Sequence, residues 1–194
     1  MAKDTTFEVG FRRRREGKTN YRKRLELVKS KQHRLVVRLS GRYVLVQLIA
    51  FGKEGDKIAA QGNSRELEKF GWKAGKKNLP AAYLAGLLAG NRAKKSGIEK
   101  AILDIGFRTP VHGSRCFAAL KGAVDAGIKV PFEAGALPSQ ERISGKHIEE
   151  FAKKIPAEEF GKKFSGYAGK NVDAKNLTSL FENAKKSILQ EVKK

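Results

Sequence analysis

Residues 34–51 read RLVVRLSGRYVLVQLIAF. In the first half Leu35, Val37 and Leu39 alternate with Arg34, Val36 and Arg38, the period-two pattern of a strand buried on one face. Ser40-Gly41 supplies a turn, and 42–51 continues as a second strand rich in β-branched and aromatic residues. Its apolar side chains fall on both faces, which places it inside a sheet. GKEGD at 52–56 is another turn, and Lys57 to Gln61 is a short third strand. The fold therefore opens on a β-meander.

Beyond the meander the period changes. Pro80 sits near a helix start, and Leu84, Leu87 and Leu88 recur at helical spacing until Gly97. Gly86 and Gly90, four apart, would let this helix approach the sheet closely. KAILDIG at 100–106 reads as a buried strand. Ser114 can cap a helix whose stripe is Phe117, Leu120, Ala123 and Val124, ended by Gly127. KVPF at 129–132 adds a last strand. The order βββαβαβ predicts an α/β fold with a mixed sheet of about five strands, because each strand–helix–strand crossover makes its strands parallel. A meander followed by crossovers resembles the ribonuclease-H-like topology. Three regions are expected: a basic arm over 1–33, an α/β core over 34–135 and a helical C-terminal extension over 136–194. In the extension Ile148, Phe151, Ala152 and Ile155 form one apolar face. A Gly-containing connection runs over 156–171, and Leu177, Leu180, Phe181, Ala184 and Ile188 form a second stripe.

The charge narrows the partners. Forty-one Lys and Arg oppose twenty Asp and Glu in 194 residues, a net charge of +21. Self-repulsion of that size opposes compaction unless a polyanion neutralises it. The charge is also clustered: between Phe11 and Arg38 there are twelve Lys or Arg against Glu16 and Glu26. The stretch 11–34 has only Leu25, Leu27 and Val28 as aliphatic side chains, so an extended arm is expected, with one helical turn near Tyr21 to Val28. Arg12, Arg13, Arg14, Arg15, Lys18, Thr19, Arg22, Lys23 and Arg24 surround Tyr21, an aromatic that can stack on a base. Arg34 and Arg38 carry the basic character onto the first strand. This is the electrostatic footprint of nucleic acid. No helix-turn-helix or zinc finger is evident, which disfavours sequence-specific DNA binding.

Other classes find no support. The longest mostly apolar run, Leu79 to Gly90, is about half of the ~20 residues a spanning helix needs. No apolar stretch near the N-terminus resembles a secretion signal. Cys116 is the single cysteine, which fits a reducing, cytoplasmic setting. A zinc site needs about four ligands, and His33, His112 and His147 are scattered. Cys116 on an apolar helix face reads as core. Nucleases of ribonuclease-H-like topology hold metals on strand carboxylates. Here the first two strands carry none and Asp104 stands alone, too little for two-metal chemistry. Neither an enzyme, nor a cofactor, nor a small-molecule substrate is expected.

The stretch 11–49, FRRRREGKTNYRKRLELVKSKQHRLVVRLSGRYVLVQLI, strongly resembles the N-terminus of the archaeal branch of the large-subunit ribosomal protein eighteen family. HGSRCFAALKGAVDAGI at 112–128, VPF at 130–132 and LPSQERISGKHI at 137–148 are also similar to it. The resemblance covers nearly all of the chain. It implies a structural protein of the large subunit that binds 5S rRNA, a basic arm threaded between 5S and 23S rRNA, placement in the central protuberance, and neighbouring ribosomal proteins as partners. Carried over by position, it points to the arm residues named above, to Ser40, Arg42 and Gln47 in the first hairpin, and to His112, Gly113 and Arg115 at the second crossover. Ser40 and Gln47 can equally serve the turn and the sheet, and His112 can cap its own helix. An RNA chaperone using the same arm is the second reading of the charge.

Overall fold

A computed structural model describes residues 8–169 and 172–191; Met1 to Phe7 of the arm, like 170–171 and 192–194, lie outside the described residues. Two short helices come first, α1 (Arg12–Arg15) and α2 (Tyr21–Lys29). Strands β1 (His33–Leu39), β2 (Val44–Ala50) and β3 (Lys57–Asn63) form the expected meander. β1 pairs antiparallel with β2, Leu35 opposite Leu48 and Val37 opposite Val46. After helix α3 (Leu79–Lys95), strand β4 (Ala101–Asp104) lies parallel to β1. The sheet is mixed, in the order β3-β2-β1-β4, which places the two apolar strands at its centre.

The sheet has four strands where about five were expected. Residues 129–132 contribute one isolated parallel bridge, Lys100 to Lys129. Pro131 has no N–H to donate, so the ladder stops almost where it begins. Ile128 and Val130 are nevertheless buried, so the segment packs as a strand would without pairing as one.

Leu35, Val37, Val44, Val46 and Leu48 point to one face and are covered by α3 and α4 (Arg115–Asp125). Helix α3 is the centre of the molecule. Asn78 caps it by accepting from the Ala81 N–H at 2.9 Å, Pro80 sits in its first turn, and every residue from Leu79 to Asn91 is buried. A helix buried all round must be small where its neighbours come closest. Gly86 meets α4 and not the sheet: a Cβ there would lie 2.0 Å from the Ala119 carbonyl oxygen. Gly90 likewise faces Ala123 of α4 and Ala126 just past its end. The close approach to the sheet is made from the other side, by Gly62 of β3, where a Cβ would lie 2.5 Å from the Ala85 oxygen.

The C-terminal part adds α5 (Gln140–Ser144), α6 (Lys146–Lys154), α7 (Ala157–Lys163), α8 (Ser165–Ala168) and α9 (Leu177–Glu191). Leu177, Phe181, Ala184 and Ile188 of α9 bury against α3, with the Phe181 ring 5.5 Å from Tyr83 and 6.4 Å from the fully buried Trp72. A smaller cluster of Ala152, Phe164 and Ala174 gathers Ile148, Ile155 and Phe160 around it. Phe151, expected on the apolar face of α6, is half exposed. The 156–171 connection is helical over α7 and α8, with Phe160 stacked on Phe164 at 5.0 Å.

Candidate RNA interface

With α3 and α4 on one face, the other face of the sheet carries Arg34, Val36 and Arg38 of β1, Gln47 and Ile49 of β2, and Asp104 of β4. The arm lies over this face and leaves a cleft of about 490 Å³, lined on the arm side by Arg13, Lys18, Lys23 and Arg24. The arm is more regular than its composition predicts. Asn20 accepts from the Lys23 N–H at 3.1 Å and starts α2, so nine residues are helical where one turn was expected. Lys31, with φ of +57°, turns the chain from α2 into β1. Phe11 and Tyr21 meet with ring centroids 5.1 Å apart.

The arm cations divide into two groups. Arg12 and Lys18 both pair with Glu16, at 2.9 and 2.7 Å, and Arg13 donates to the Thr19 hydroxyl at 2.8 Å. Arg14, Arg15, Arg22 and Lys23 are exposed and have no side-chain partner among the described residues. Such groups meet a phosphate without first losing a protein partner.

On the sheet, Arg34 differs from the expectation. It is 4% exposed, and its guanidinium donates to Asp104 at 2.9 Å and to Asp56 at 2.5 Å. Its Nε–H has no partner among the described residues, but burial keeps the guanidinium behind the surface, so Arg34 serves here to tie Asp56 to Asp104 instead of standing out as a free surface cation. Arg38 donates to the Asp104 carboxylate at 3.1 Å and to its backbone oxygen at 2.9 Å, but its side chain is 44% exposed and borders the cleft. Asp104 also accepts from the Gly106 N–H, which fixes the start of the 105–114 loop.

The hairpin residues serve the fold first. Ser40 accepts from the Tyr43 N–H and donates to its carbonyl, closing the turn. The Gln47 side chain donates to Gln61 across the β2–β3 pair at 3.3 Å. Arg42 is exposed at the tip. At the second crossover Gly113 takes φ of +68°, a conformation that favours glycine, and its N–H donates to Ala136. His112 is exposed beside it. Arg115, at the first turn of α4, donates to the Lys77 carbonyl at 3.1 Å. The same loop exposes Phe107 and Val111, two apolar groups for which solvent exposure has no folding benefit. Sequence reasoning passed over both, and over Phe11; an aromatic beside Arg108 or among arginines was the available signal. It also read Asp56 as turn chemistry alone.

Cys116 is 5% exposed, and burial pushes its thiol up from the ordinary range against the opposing pull of Arg108, Arg115 and Arg38. That is the profile of an inert core thiol. Among the described residues no group of three or more His, Cys, Asp or Glu could hold a metal ion, and no helix is long and apolar enough to cross a membrane.

Residues 5–100 and 94–133 match the family described as ribosomal large subunit proteins 60S L5 and 50S L18. The chain belongs to this family. The matched span takes in the arm, all four strands, α3 and α4, so the elements that build the cleft are family features. Among curated relatives, the large ribosomal subunit protein uL18 of Korarchaeum cryptofilum (strain OPF8) is 52% identical over 184 residues, 94% of either chain. The protein of the same name from Methanothermobacter thermautotrophicus (strain Delta H) is 46% identical over 192 residues, covering 99% of this chain and 100% of the relative. These relatives are structural proteins of the ribosome, not enzymes.

Proposed function

We propose that this chain is a structural constituent of the large ribosomal subunit in the cytoplasm, where it binds 5S rRNA and helps attach it to 23S rRNA in the central protuberance. The observation that carries this reading is the arm: Arg13, Lys18, Lys23 and Arg24 line a cleft over the sheet face, and Arg14, Arg15 and Arg22 are exposed with no side-chain partner among the described residues, in a family of large-subunit proteins. The arm over 1–33 supplies phosphate contacts, the core over 34–135 supplies the surface they rest on, and 136–194 is the helical extension.

The contacts divide by chemistry. Arginine forks meet phosphate oxygens in pairs and fix the register of the RNA. Phe11 and Tyr21 add stacking surfaces for unpaired bases. Arg38, Arg42, His112 and Arg115 border or continue the basic surface. Ser40, Gln47 and Gly113 shape it through turn, sheet and backbone. Phe107 and Val111 fit contact with a neighbouring ribosomal protein or an unstacked base.

The test is sedimentation. The tagged chain should travel with large subunits and stay there after a moderate salt wash, because many contacts cooperate. Release in the wash, with recovery on bulk RNA of any sequence, would favour an RNA chaperone and refute the structural role.

A further inference from the structure

Asp56 closes the β2–β3 turn, and its carboxylate joins two elements far apart in the chain. Arg34 of β1 donates to one of its oxygens and Arg24 of α2 donates to the other at 3.1 Å. Arg34 is held in turn by Asp104, which also holds Arg38. The result is a chain of alternating charge, Arg24–Asp56–Arg34–Asp104–Arg38, running from the arm across the sheet. Among the described residues the Arg24–Asp56 pair is the one ion pair that ties the arm helices to the core; the other arm pairs are internal. Apolar packing adds little, since α2 has no buried side chain. A nine-residue helix is marginal on its own in water.

We propose that Asp56 is a positioning residue for RNA binding: it holds α2 over the open sheet face before RNA arrives, so that the arm's cations are presented in one arrangement. The proposal rests on the functional reading above. Pre-ordering removes part of the entropy cost that RNA would otherwise have to offset. Simple charge predicts the reverse of this role, because removing a carboxylate from a chain of +21 strengthens its attraction to a polyanion. The sign of the affinity change therefore separates the two.

The variant is Asp56→Asn. Its single amide oxygen can keep the bond to the buried Arg34, while Arg24, which lies 3.1 Å from either carboxylate oxygen, loses the ion pair and keeps at most a weaker, uncharged bond to that shared oxygen. Glu54→Gln is the control: it removes an exposed acid of the same turn that has no partner among the described residues. Two quantities are read on the full chain: hydrogen exchange of the Tyr21–Lys29 amides in the free protein, and affinity for a 5S rRNA transcript at fixed salt. Asp56→Asn should lose protection across α2 and bind about two- to five-fold more weakly than Glu54→Gln, the range of one exposed ion pair. Arg24→Gln, which breaks the tie without touching Arg34, should show the same loss of protection. Protection retained in both variants, or affinity of Asp56→Asn equal to or above that of the control, overturns the proposal. A wild-type chain that binds no 5S rRNA overturns the functional reading instead, and the exchange comparison alone then decides whether Asp56 ties the arm.

Discussion

Gly122→Ala is among the severest small changes the fold offers. Gly122 of α4 faces α3 so closely that an added Cβ would lie 2.1 Å from the Tyr83 carbonyl oxygen and 2.8 Å from the Leu87 nitrogen. Both obstacles are backbone, so no side chain can rotate out of the way. Reaching even a 3.4 Å contact requires α3 and α4 to separate by roughly 1 Å or more, which forfeits dispersion contacts along their shared face. Overpacking of this kind costs about 1–3 kcal/mol, and the rigid surroundings argue for the upper end. Alanine's better helix propensity returns about 0.8–1.0 kcal/mol. The net expectation is a loss of about 2 kcal/mol. At about 2–4 °C per kcal/mol for a chain of this size, the melting midpoint should fall by about 4–8 °C. Circular dichroism melts of Gly122→Ala beside Gly161→Ala supply the comparison, since nothing lies within 4 Å of a Cβ built at Gly161. A Gly122→Ala midpoint at or above that of the wild type would refute the backbone-to-backbone packing of α3 on α4.

Other outcomes follow from burial and charge. Leu120→Ala empties a fully buried position on α4 and should cost about 2–5 kcal/mol in chemical denaturation, with RNA affinity retained while the protein is folded. Deleting 1–24 removes charge and, among the described residues, no core side chain, so the melting midpoint should barely move while 5S rRNA binding is largely lost. The Tyr83 phenol is pushed up from its ordinary range by burial and by its 2.8 Å bond to Asp125, so its proton is held more tightly folded than unfolded. The stability it contributes is complete below pH ~10 and declines as pH rises above that. Tyr83→Phe should cost about 1 kcal/mol at neutral pH and flatten the alkaline part of the stability profile; an unchanged alkaline slope would contradict the assignment.

What the sequence reveals and conceals has a physical division. Alternation of Leu35, Val37 and Leu39 with arginines is a local signal, and it located β1, its core-facing side chains and its partner strand, although Arg34 and Val36 on the opposite face are buried as well. Helices α3 and α4 were legible for the same reason, through apolar side chains at helical spacing, Pro80 near the start of α3 and glycine beyond the end of each. Ser114 stands at the start of α4 but makes no side-chain capping bond, and the Asn78 cap of α3 was not read. Non-local choices were not legible. Gly86 and Gly90 announced a close approach, yet whether sheet or helix lay opposite depended on α4, some thirty residues later. Arg34 and Asp104 lie seventy positions apart, and only the parallel pairing of β1 with β4 brings them together. Without that pairing Arg34 reads as one more RNA-facing cation. The fifth strand failed at Pro131, where a buried apolar pattern survives without a donor for the ladder. The arm was underestimated because α2 draws on the Asn20 cap and on an ion pair to Asp56, a residue whose neighbours in sequence mark only a turn.

The central claim is that this arm neutralises rRNA phosphates, and a salt titration tests it most directly. The full chain is titrated against a 5S rRNA transcript from low to moderate salt, with the 1–24 deletion in parallel. If the arm engages about eight phosphates, the plot of log affinity against log salt should fall with a slope of about −6 to −7, and the deletion should flatten it substantially. A nearly flat slope for the full chain, or an equal slope for the two proteins, would contradict the account.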